Sequence, residues 1–265
     1  MIKKLIIAFP LLFVILFTSC KTEYEKVRAS GDPELMVKTA DSYFKDEKFL
    51  QAQTLYEIVI PFYRGKEEAA EIFFKYAYTH YYLREYILAS HYFKSFSTTY
   101  YSDENREEAM FMSAYSNYEL SPNPKLDQSY SDVAIEAFQL FINTFPESER
   151  VTEANKLIDE MRDKMEVKSF SQGQLYLDIK QYEAAMVGFD NMLQEYPDSE
   201  MAEKARYLGI VASHELAKNS IYGKQVERYK DVLLRIDKYE KKHKKSSYRK
   251  ELKTIKKDCN NKISQ

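Results

Sequence analysis

The chain has 265 residues and a formal net charge of −2 at pH 7. It contains 23 tyrosines and 16 phenylalanines but no tryptophan, and only 6 glycines and 7 prolines. Few helix breakers and many aromatic residues favour a helical repeat array over a β-sandwich or a loop-rich enzyme. The nearly neutral net charge predicts no nucleic-acid partner.

The N-terminus has the features of a secretion signal. Two lysines precede an apolar run over residues 5–17, which is shorter than the roughly 20 residues needed to span a membrane but fits a signal peptide. Residues 17–20, Phe-Thr-Ser-Cys, resemble a bacterial lipobox, with Phe17 where an aliphatic residue is usual. We predict lipidation of Cys20, whose acyl chains would anchor the protein. The alternative is an ordinary secretory signal in which Cys20 has no role.

One turn pattern recurs along the chain, at residues 100–109, 145–154 and 196–205. An aromatic residue closes one helix, a turn follows, a Ser or Asp caps the next helix, and an Ala lies two turns further on. Ser and Asp side chains accept hydrogen bonds from the free N–H groups at a helix start. A weaker copy at 243–246 predicts the start of a terminal helix.

Small and large residues recur between these turns at offsets of 0, 3, 12, 16 and 19. The three sets are Ala40, Tyr43, Ala52, Tyr56 and Val59; Ala77, His80, Ala89, Phe93 and Phe96; and Gly173, Tyr176, Ala185, Phe189 and Met192. This is the tetratricopeptide pattern, in which small residues let two antiparallel helices approach closely and large residues fill the space to the next repeat.

Two further repeats keep the pattern with 20 residues between the small positions. Their residues are Ala114, Ala134, Phe138 and Phe141 in the third repeat, and Ala212, Val232, Ile236 and Tyr239 in the fifth. Turn-forming residues fill the insertions, around 121–124 and 219–223.

These patterns predict an all-α fold, a right-handed α-solenoid of about five tetratricopeptide repeats. The predicted organisation is a signal peptide at 1–19, a lipid-anchored linker at 20–32, a repeat domain at 33–262 and a tail at 263–265. The repeats lie at about 33–66, 70–103, 107–148, 166–199 and 205–246, followed by a terminal capping helix.

No catalytic or metal-binding constellation emerges from the sequence. It has no H-E-x-x-H motif, no paired cysteines and no glycine-rich phosphate loop, so we expect no cofactor, no small-molecule substrate and no enzymatic activity. His80 occupies a repeat core position and is interpreted as a packing residue. Cys259 lies beside Lys256 and Lys257, which would lower its pKa; the alternative is a spectator thiol in a polar tail.

Two surfaces are candidates for partner binding. The first helices of repeats line the concave face of such arrays, and their rings predict a peptide groove, unless they serve only inter-helix packing. The groove candidates are Phe44, Phe74, Tyr78, Tyr81, Tyr82, Phe111, Tyr115 and Tyr118. From Lys224 to Lys262 the chain carries 15 Lys and Arg against 6 Asp and Glu. This segment predicts docking of an acidic partner, a solvated capping helix, or a surface for anionic headgroups. The docking candidates are Arg235, Lys238, Lys241 and Lys242.

A lipobox joined to about five such repeats, with aromatic-Pro-x-Ser turns at 145–148 and 196–199, resembles the BamD family. These are lipoproteins of the β-barrel assembly machinery of outer membranes. The resemblance implies a lipid-anchored protein on the periplasmic face of the outer membrane. It also implies that the C-terminal repeats dock on the periplasmic POTRA domains of the central barrel protein, BamA. The N-terminal repeats would recognise the C-terminal signal of unfolded outer-membrane proteins, which ends in an aromatic residue.

Other classes of protein remain open at this point. A SusD-like nutrient-binding lipoprotein also joins a lipid anchor to such repeats, but is typically about twice as long and carries large insertions. A periplasmic scaffold that coordinates cell division or peptidoglycan synthesis is a second alternative, and an enzyme is a third.

Overall fold

The computed structural model describes residues 23–265, so the predicted signal peptide and Cys20 lie outside it. Within that range the chain forms twelve helices and no strand. The helices are α1 (Glu23–Arg28), α2 (Pro33–Lys45), α3 (Phe49–Tyr63), α4 (Ala69–Tyr82), α5 (Tyr86–Thr99), α6 (Arg106–Glu119), α7 (Ser129–Thr144), α8 (Val151–Asp178), α9 (Tyr182–Glu195), α10 (Ala202–Lys218), α11 (Tyr222–Lys242) and α12 (Arg249–Ile263). The predicted all-α fold of tetratricopeptide type is therefore confirmed. None of the helices in residues 23–265 combines the length and apolar character needed to cross a membrane.

The chain divides into two compact units, each described here by itself. The N-terminal unit comprises residues 23–120 and 133–154, and the C-terminal unit comprises 121–132 and 155–265. In the N-terminal unit, successive helices from α2 to α6 pack on one another in chain order. In the C-terminal unit the same is true of α9 to α12.

The repeat pattern specifies the core of both units. The small residues at the close-approach positions have no exposed surface: Ala40, Ala52, Ala77, Ala89, Ala114, Ala134, Ala185 and Ala212. The large residues that follow them are equally buried, among them Tyr56, Phe93, Phe138, Phe189 and Ile236. Each small side chain lets two helices approach, and each large one fills the gap to the next pair, which stabilises the array through burial of apolar surface.

Gly173 shows how tight this packing is. A Cβ atom at this position in α8 would lie 2.8 Å from two ring carbons of Phe189 in α9. A Cβ at Gly188 would lie 3.2 Å from the Cα of Gly173. The backbones of α8 and α9 can approach this closely only because these positions lack side chains.

The serines of the turn pattern do not cap the next helices as predicted: the N-caps of α10 and α12 are Met201 and Tyr248, which make no side-chain cap hydrogen bond. The serines stabilise the turns just before these caps instead, and they make a second contact. Ser148 and Ser199 each accept a hydrogen bond from the backbone N–H two residues later, at 3.1 and 2.9 Å. Ser246 does the same at 3.1 Å. In addition, the Ser148 hydroxyl donates to Glu107 at 2.6 Å and that of Ser199 to Glu166 at 2.5 Å. The turns are thus tied to carboxylates of α6 and α8.

Some predicted segments differ in detail from the structure. The expected linker at 20–32 contains α1, whose Val27 is 4% exposed and packs on the first core cluster. Residue 166, the predicted start of the fourth repeat, lies inside α8, a continuous helix of 28 residues. The insertion around 121–124 is a loop as expected, whereas α11 already begins at Tyr222, within the fifth-repeat insertion.

Candidate functional site

A row of aromatic rings runs over the first helices of the N-terminal unit. Phe44 of α2 contacts Tyr82 of α4 at a centroid distance of 6.1 Å, and Tyr82 stacks on Phe49 at 4.4 Å. Tyr81 reaches Tyr115 of α6 at 6.3 Å. The row comprises Phe44, Phe49, Tyr78, Tyr81, Tyr82, Tyr115 and Tyr118. Ring-to-ring contacts therefore connect α2, α4 and α6, on the helices from which a groove was predicted.

Exposure varies along this aromatic row. Tyr82 is 46% exposed, which makes it the most accessible of the predicted groove residues. Tyr81 and Tyr115 are half-buried, and burial raises the pKa of Tyr81 to about 12. Tyr78 is also half-buried and its hydroxyl donates a 2.6 Å hydrogen bond to Glu108. Burial and this bond raise the Tyr78 pKa, so Tyr78 and Tyr81 are neutral at physiological pH, and their rings present an amphipathic surface.

Phe111 and Phe74 require a correction to the predicted set. Phe111 is 2% exposed, and the rings of Phe138 and Phe141 each lie 5.5 Å from it. Its ring is therefore enclosed by core neighbours and is not available to a peptide. Phe74 is half-buried and turns toward Phe93 and Phe96, with centroid distances of 6.1 and 5.0 Å.

A second candidate site is a groove of about 700 Å³ in the C-terminal unit, which we call the basic groove. It lies between α9, α10 and α11. Because its walls come from three separate segments, no single sequence pattern indicates it. Of the predicted docking residues, Arg235, Lys238 and Lys242 line the basic groove. Lys241 is outside the lining and pairs with Asp237 at 2.7 Å.

Arg235 is fixed in the basic groove by a bidentate salt bridge to Asp190 of α9. Its Nη1 and Nη2 atoms donate to the two carboxylate oxygens at 2.8 and 2.6 Å. The hydrogen bonds to Asp190 raise the pKa of the Arg235 guanidinium. This geometry joins α9 to α11, so Arg235 is a structural cation whose charge is already neutralised.

A similar groove of about 730 Å³ occurs in the N-terminal unit, between α5, α6 and α7. Its floor is small and polar: Asn117 donates to the Ser90 hydroxyl at 2.8 Å, and Ser113 donates to the Ser90 carbonyl at 3.0 Å. Its rim carries Ile87 and Leu140, which are 59% and 57% exposed. Both grooves therefore occupy the same place in the repeat, over a first helix and between two second helices.

The two ionisable residues noted in the sequence, His80 and Cys259, are both buried. His80 is 4% exposed, lies 2.6 Å from a Glu85 oxygen, and stacks on Tyr92 at 4.7 Å, as expected for a packing residue. Burial lowers its pKa despite Glu85. Cys259 is fully buried and burial raises its thiol pKa to about 11. Of the two interpretations of Cys259 from the sequence, the lowered pKa is wrong because desolvation dominates, and the polar-tail position is wrong because the thiol is part of the core.

Within residues 23–265, no group of three or more His, Cys, Asp or Glu side chains is placed to hold a metal ion. The fold and the two surfaces therefore define a helical-repeat protein with extended surfaces of the kind that bind polypeptide segments.

A family model described as YfiO, outer membrane lipoprotein, matches residues 30–229. The chain belongs to this family of outer membrane lipoproteins, and the match supports the BamD-type resemblance of the sequence. No curated protein matches the chain. Among solved structures, a tetratricopeptide-repeat protein from Bacteroides fragilis is similar over 87% of this chain and 98% of its own, with 12% identity and a TM-score of 0.38. That likeness is too distant to bear on function.

Proposed function

We propose that this protein is a lipid-anchored scaffold of the β-barrel assembly machinery, held on the periplasmic face of the outer membrane through Cys20. In this proposal it has no enzymatic activity. It binds unfolded outer-membrane proteins through the aromatic row and the POTRA domains of a BamA-like barrel protein through its basic C-terminal surface. Membership of an outer membrane lipoprotein family supports the location and the scaffold class.

The observation that carries the substrate part of the proposal is the aromatic row of α2, α4 and α6, together with Phe49 at the start of α3. Tyr82 is 46% exposed while its ring is held by stacking on Phe49. A ring that is already ordered loses little entropy when it binds, and tyrosine adds a polar group that can hydrogen-bond. Such a surface suits an extended segment that ends in an aromatic side chain.

The docking part rests on charge. Lys238 and Lys242 lie on one face of α11 at a spacing of four residues, both are exposed, and both line the basic groove. Charged groups at an interface direct association and set specificity. We therefore assign the barrel protein to this surface, in which the Arg235–Asp190 pair holds α11 against α9.

The substrate assignment can be tested with a fluorescent peptide that has the C-terminal sequence of an outer-membrane barrel. We expect the double variant Tyr82→Ala, Tyr115→Ala to weaken binding by about tenfold or more and to leave the unfolding transition in place. Tyr222→Ala is the matched control, because Tyr222 is 84% exposed in the C-terminal unit, outside the aromatic row. Equal binding by the double variant and the wild type would exclude the aromatic row as the substrate site.

The complex itself can be tested by purifying the tagged protein from mildly solubilised envelopes and identifying stoichiometric partners by mass spectrometry. Recovery of a barrel protein with POTRA domains is the expected result. Recovery of a nutrient transporter or of cell-wall enzymes, without such a barrel protein, would refute the assembly role.

A further inference from the structure

The basic groove contains cations that have no ion-pair partner in the part of the chain that the structure describes. Among residues 23–265, no carboxylate forms an ion pair with Arg206, Arg228, Lys238 or Lys242, although all four line the groove. Arg228 donates a hydrogen bond to the hydroxyl of Ser220 only. Glu183 and Asp231 are the remaining acidic residues of the lining, because Asp190 is bound to Arg235. The groove therefore has an excess of positive charge available to a ligand.

Three of these cations gather at one end of the basic groove. Lys238 and Lys242 lie in the last turns of α11, and Arg206 lies near the start of α10, which packs on α11. The hydroxyl of Tyr239, which lies between these two lysines, donates to Glu203 at 2.8 Å and so places the end of α11 beside the start of α10. Of the acidic residues, Glu183 lies near the start of α9, and Asp231 lies near the middle of α11.

The floor of the basic groove is apolar. It includes Met186 and Leu193 from α9 and the buried Ile210 from α10, while Leu234 of α11 is 60% exposed at the rim. The α9 wall has 14 residues, which at 1.5 Å per residue corresponds to about 21 Å, or roughly four helical turns. An apolar floor of this length with cations at one end has the shape and polarity of a helix-binding groove.

We propose that the basic groove binds an amphipathic helix of a partner protein, with the helix's apolar stripe on the groove floor and its acidic residues at the Arg206, Lys238 and Lys242 end. The inference rests on the proposed scaffold function only for the existence of a protein partner. The choice of an acidic helix follows from the lining alone.

The equivalent groove of the N-terminal unit provides an internal contrast. It has nearly the same volume, but its lining contains Lys94, Arg106 and Glu136 as its charged residues, apart from His91. Arg106 donates to the Ser97 carbonyl at 3.2 Å and its guanidinium lies 5.4 Å from a phenylalanine ring. The N-terminal groove has two cations against one acidic residue, whereas the basic groove has four against two besides its Arg235–Asp190 pair. The stronger preference for an acidic helix is therefore expected in the C-terminal unit.

The test uses two synthetic helical peptides with the same leucine stripe, one with glutamates near one end and the other with lysines at the same positions. Binding to the full-length protein is followed by fluorescence anisotropy. We expect the acidic peptide to bind about tenfold more tightly than the basic one, and the difference to shrink as salt is added. The double variant Lys238→Glu, Lys242→Glu should reverse the preference. Leu234→Ser should weaken both peptides.

The control is Lys230→Glu, Lys241→Glu, which makes the same charge change at exposed positions of α11 outside the groove lining. It should keep the wild-type preference. The proposal is overturned if this control reverses the preference too, if wild type binds both peptides equally, or if the groove variant changes nothing. It is also overturned if the groove charges instead govern binding to anionic vesicles or self-association of the chain. Failure of this inference would remove only the docking surface from the proposed function. Peptide binding at the aromatic row and co-purification of the barrel protein are measured separately, so the two failures can be told apart.

Discussion

Phe111→Ala should destabilise the protein strongly, because the structure makes Phe111 a core residue of the N-terminal unit. Its ring is 2% exposed, contacts Phe138 and Phe141, and has the Arg150 guanidinium 4.3 Å from its centroid. Truncating a buried phenylalanine to alanine costs about 3–5 kcal/mol, and loss of the cation–π contact adds about 0.5–1 kcal/mol. We expect a decrease of about 4 kcal/mol in the unfolding free energy of the N-terminal unit.

Tyr82→Ala is the control for Phe111→Ala, because it removes an exposed ring instead of a buried one. Tyr82 is 46% exposed, so its truncation loses mainly the stacking on Phe49, which is about 1 kcal/mol. Urea unfolding followed by circular dichroism gives both free energies, and the barrel-derived peptide gives both affinities. Phe111→Ala should lower the urea midpoint, and Tyr82→Ala should lower the affinity. A stable Phe111→Ala protein that no longer binds peptide would contradict the assignment of Phe111 to the core.

Three further results are expected from stability and reactivity measurements. Gly173→Ala should lower the unfolding free energy by about 1–2 kcal/mol, because overpacking outweighs the helix propensity gained. Gly223→Ala, whose Cβ meets nothing within 4 Å, should be neutral or slightly stabilising. Equal effects of the two substitutions in urea melts would refute the close-approach argument. Since burial lowers the pKa of His80, the unfolded chain takes up its proton first as pH falls below about 6.5. The contribution of His80 to the unfolding free energy is therefore complete above that pH and is lost as the pH falls below it. His80→Gln should flatten a plot of urea midpoint against pH. An unchanged slope would exclude His80 as the source of the pH dependence. Cys259, with a thiol pKa of about 11, should resist alkylation in a folded Cys20→Ser protein and react quickly in urea; rapid labelling of the folded form would show that the thiol is accessible.

The sequence predicted the core well because the repeat imposes one constraint many times. Ala77 and Ala89 are 12 residues apart and both are fully buried, as are Ala114 and Ala134, which are 20 apart. The intervening loop could lengthen without moving either residue out of the interface, since loops tolerate insertion while helix contacts do not. Fold class therefore follows from residue type and spacing alone.

The candidate site could be predicted only in part. Phe111 and Tyr115 lie four residues apart on α6 and their rings stack at 5.9 Å, yet Phe111 is 2% exposed and Tyr115 is half-buried. Helical periodicity places both on one face but cannot tell which of them the next helix pair will cover. That outcome depends on Phe138 and Phe141 of α7, beyond an insertion whose conformation the sequence pattern left undefined.

The residues of the basic groove could also be predicted only in part from the sequence. The charge excess of the C-terminal segment was evident in the sequence, but Lys238 and Lys241 were equivalent there. In the structure Lys241 is held by Asp237 at 2.7 Å outside the groove, while Lys238 lines it without an ion pair. A lysine's availability to a partner depends on which carboxylate can reach it, and that is decided by the packing of α9, α10 and α11. Charge composition points to an acidic partner, and the distribution of ion pairs then selects the residues that would contact it.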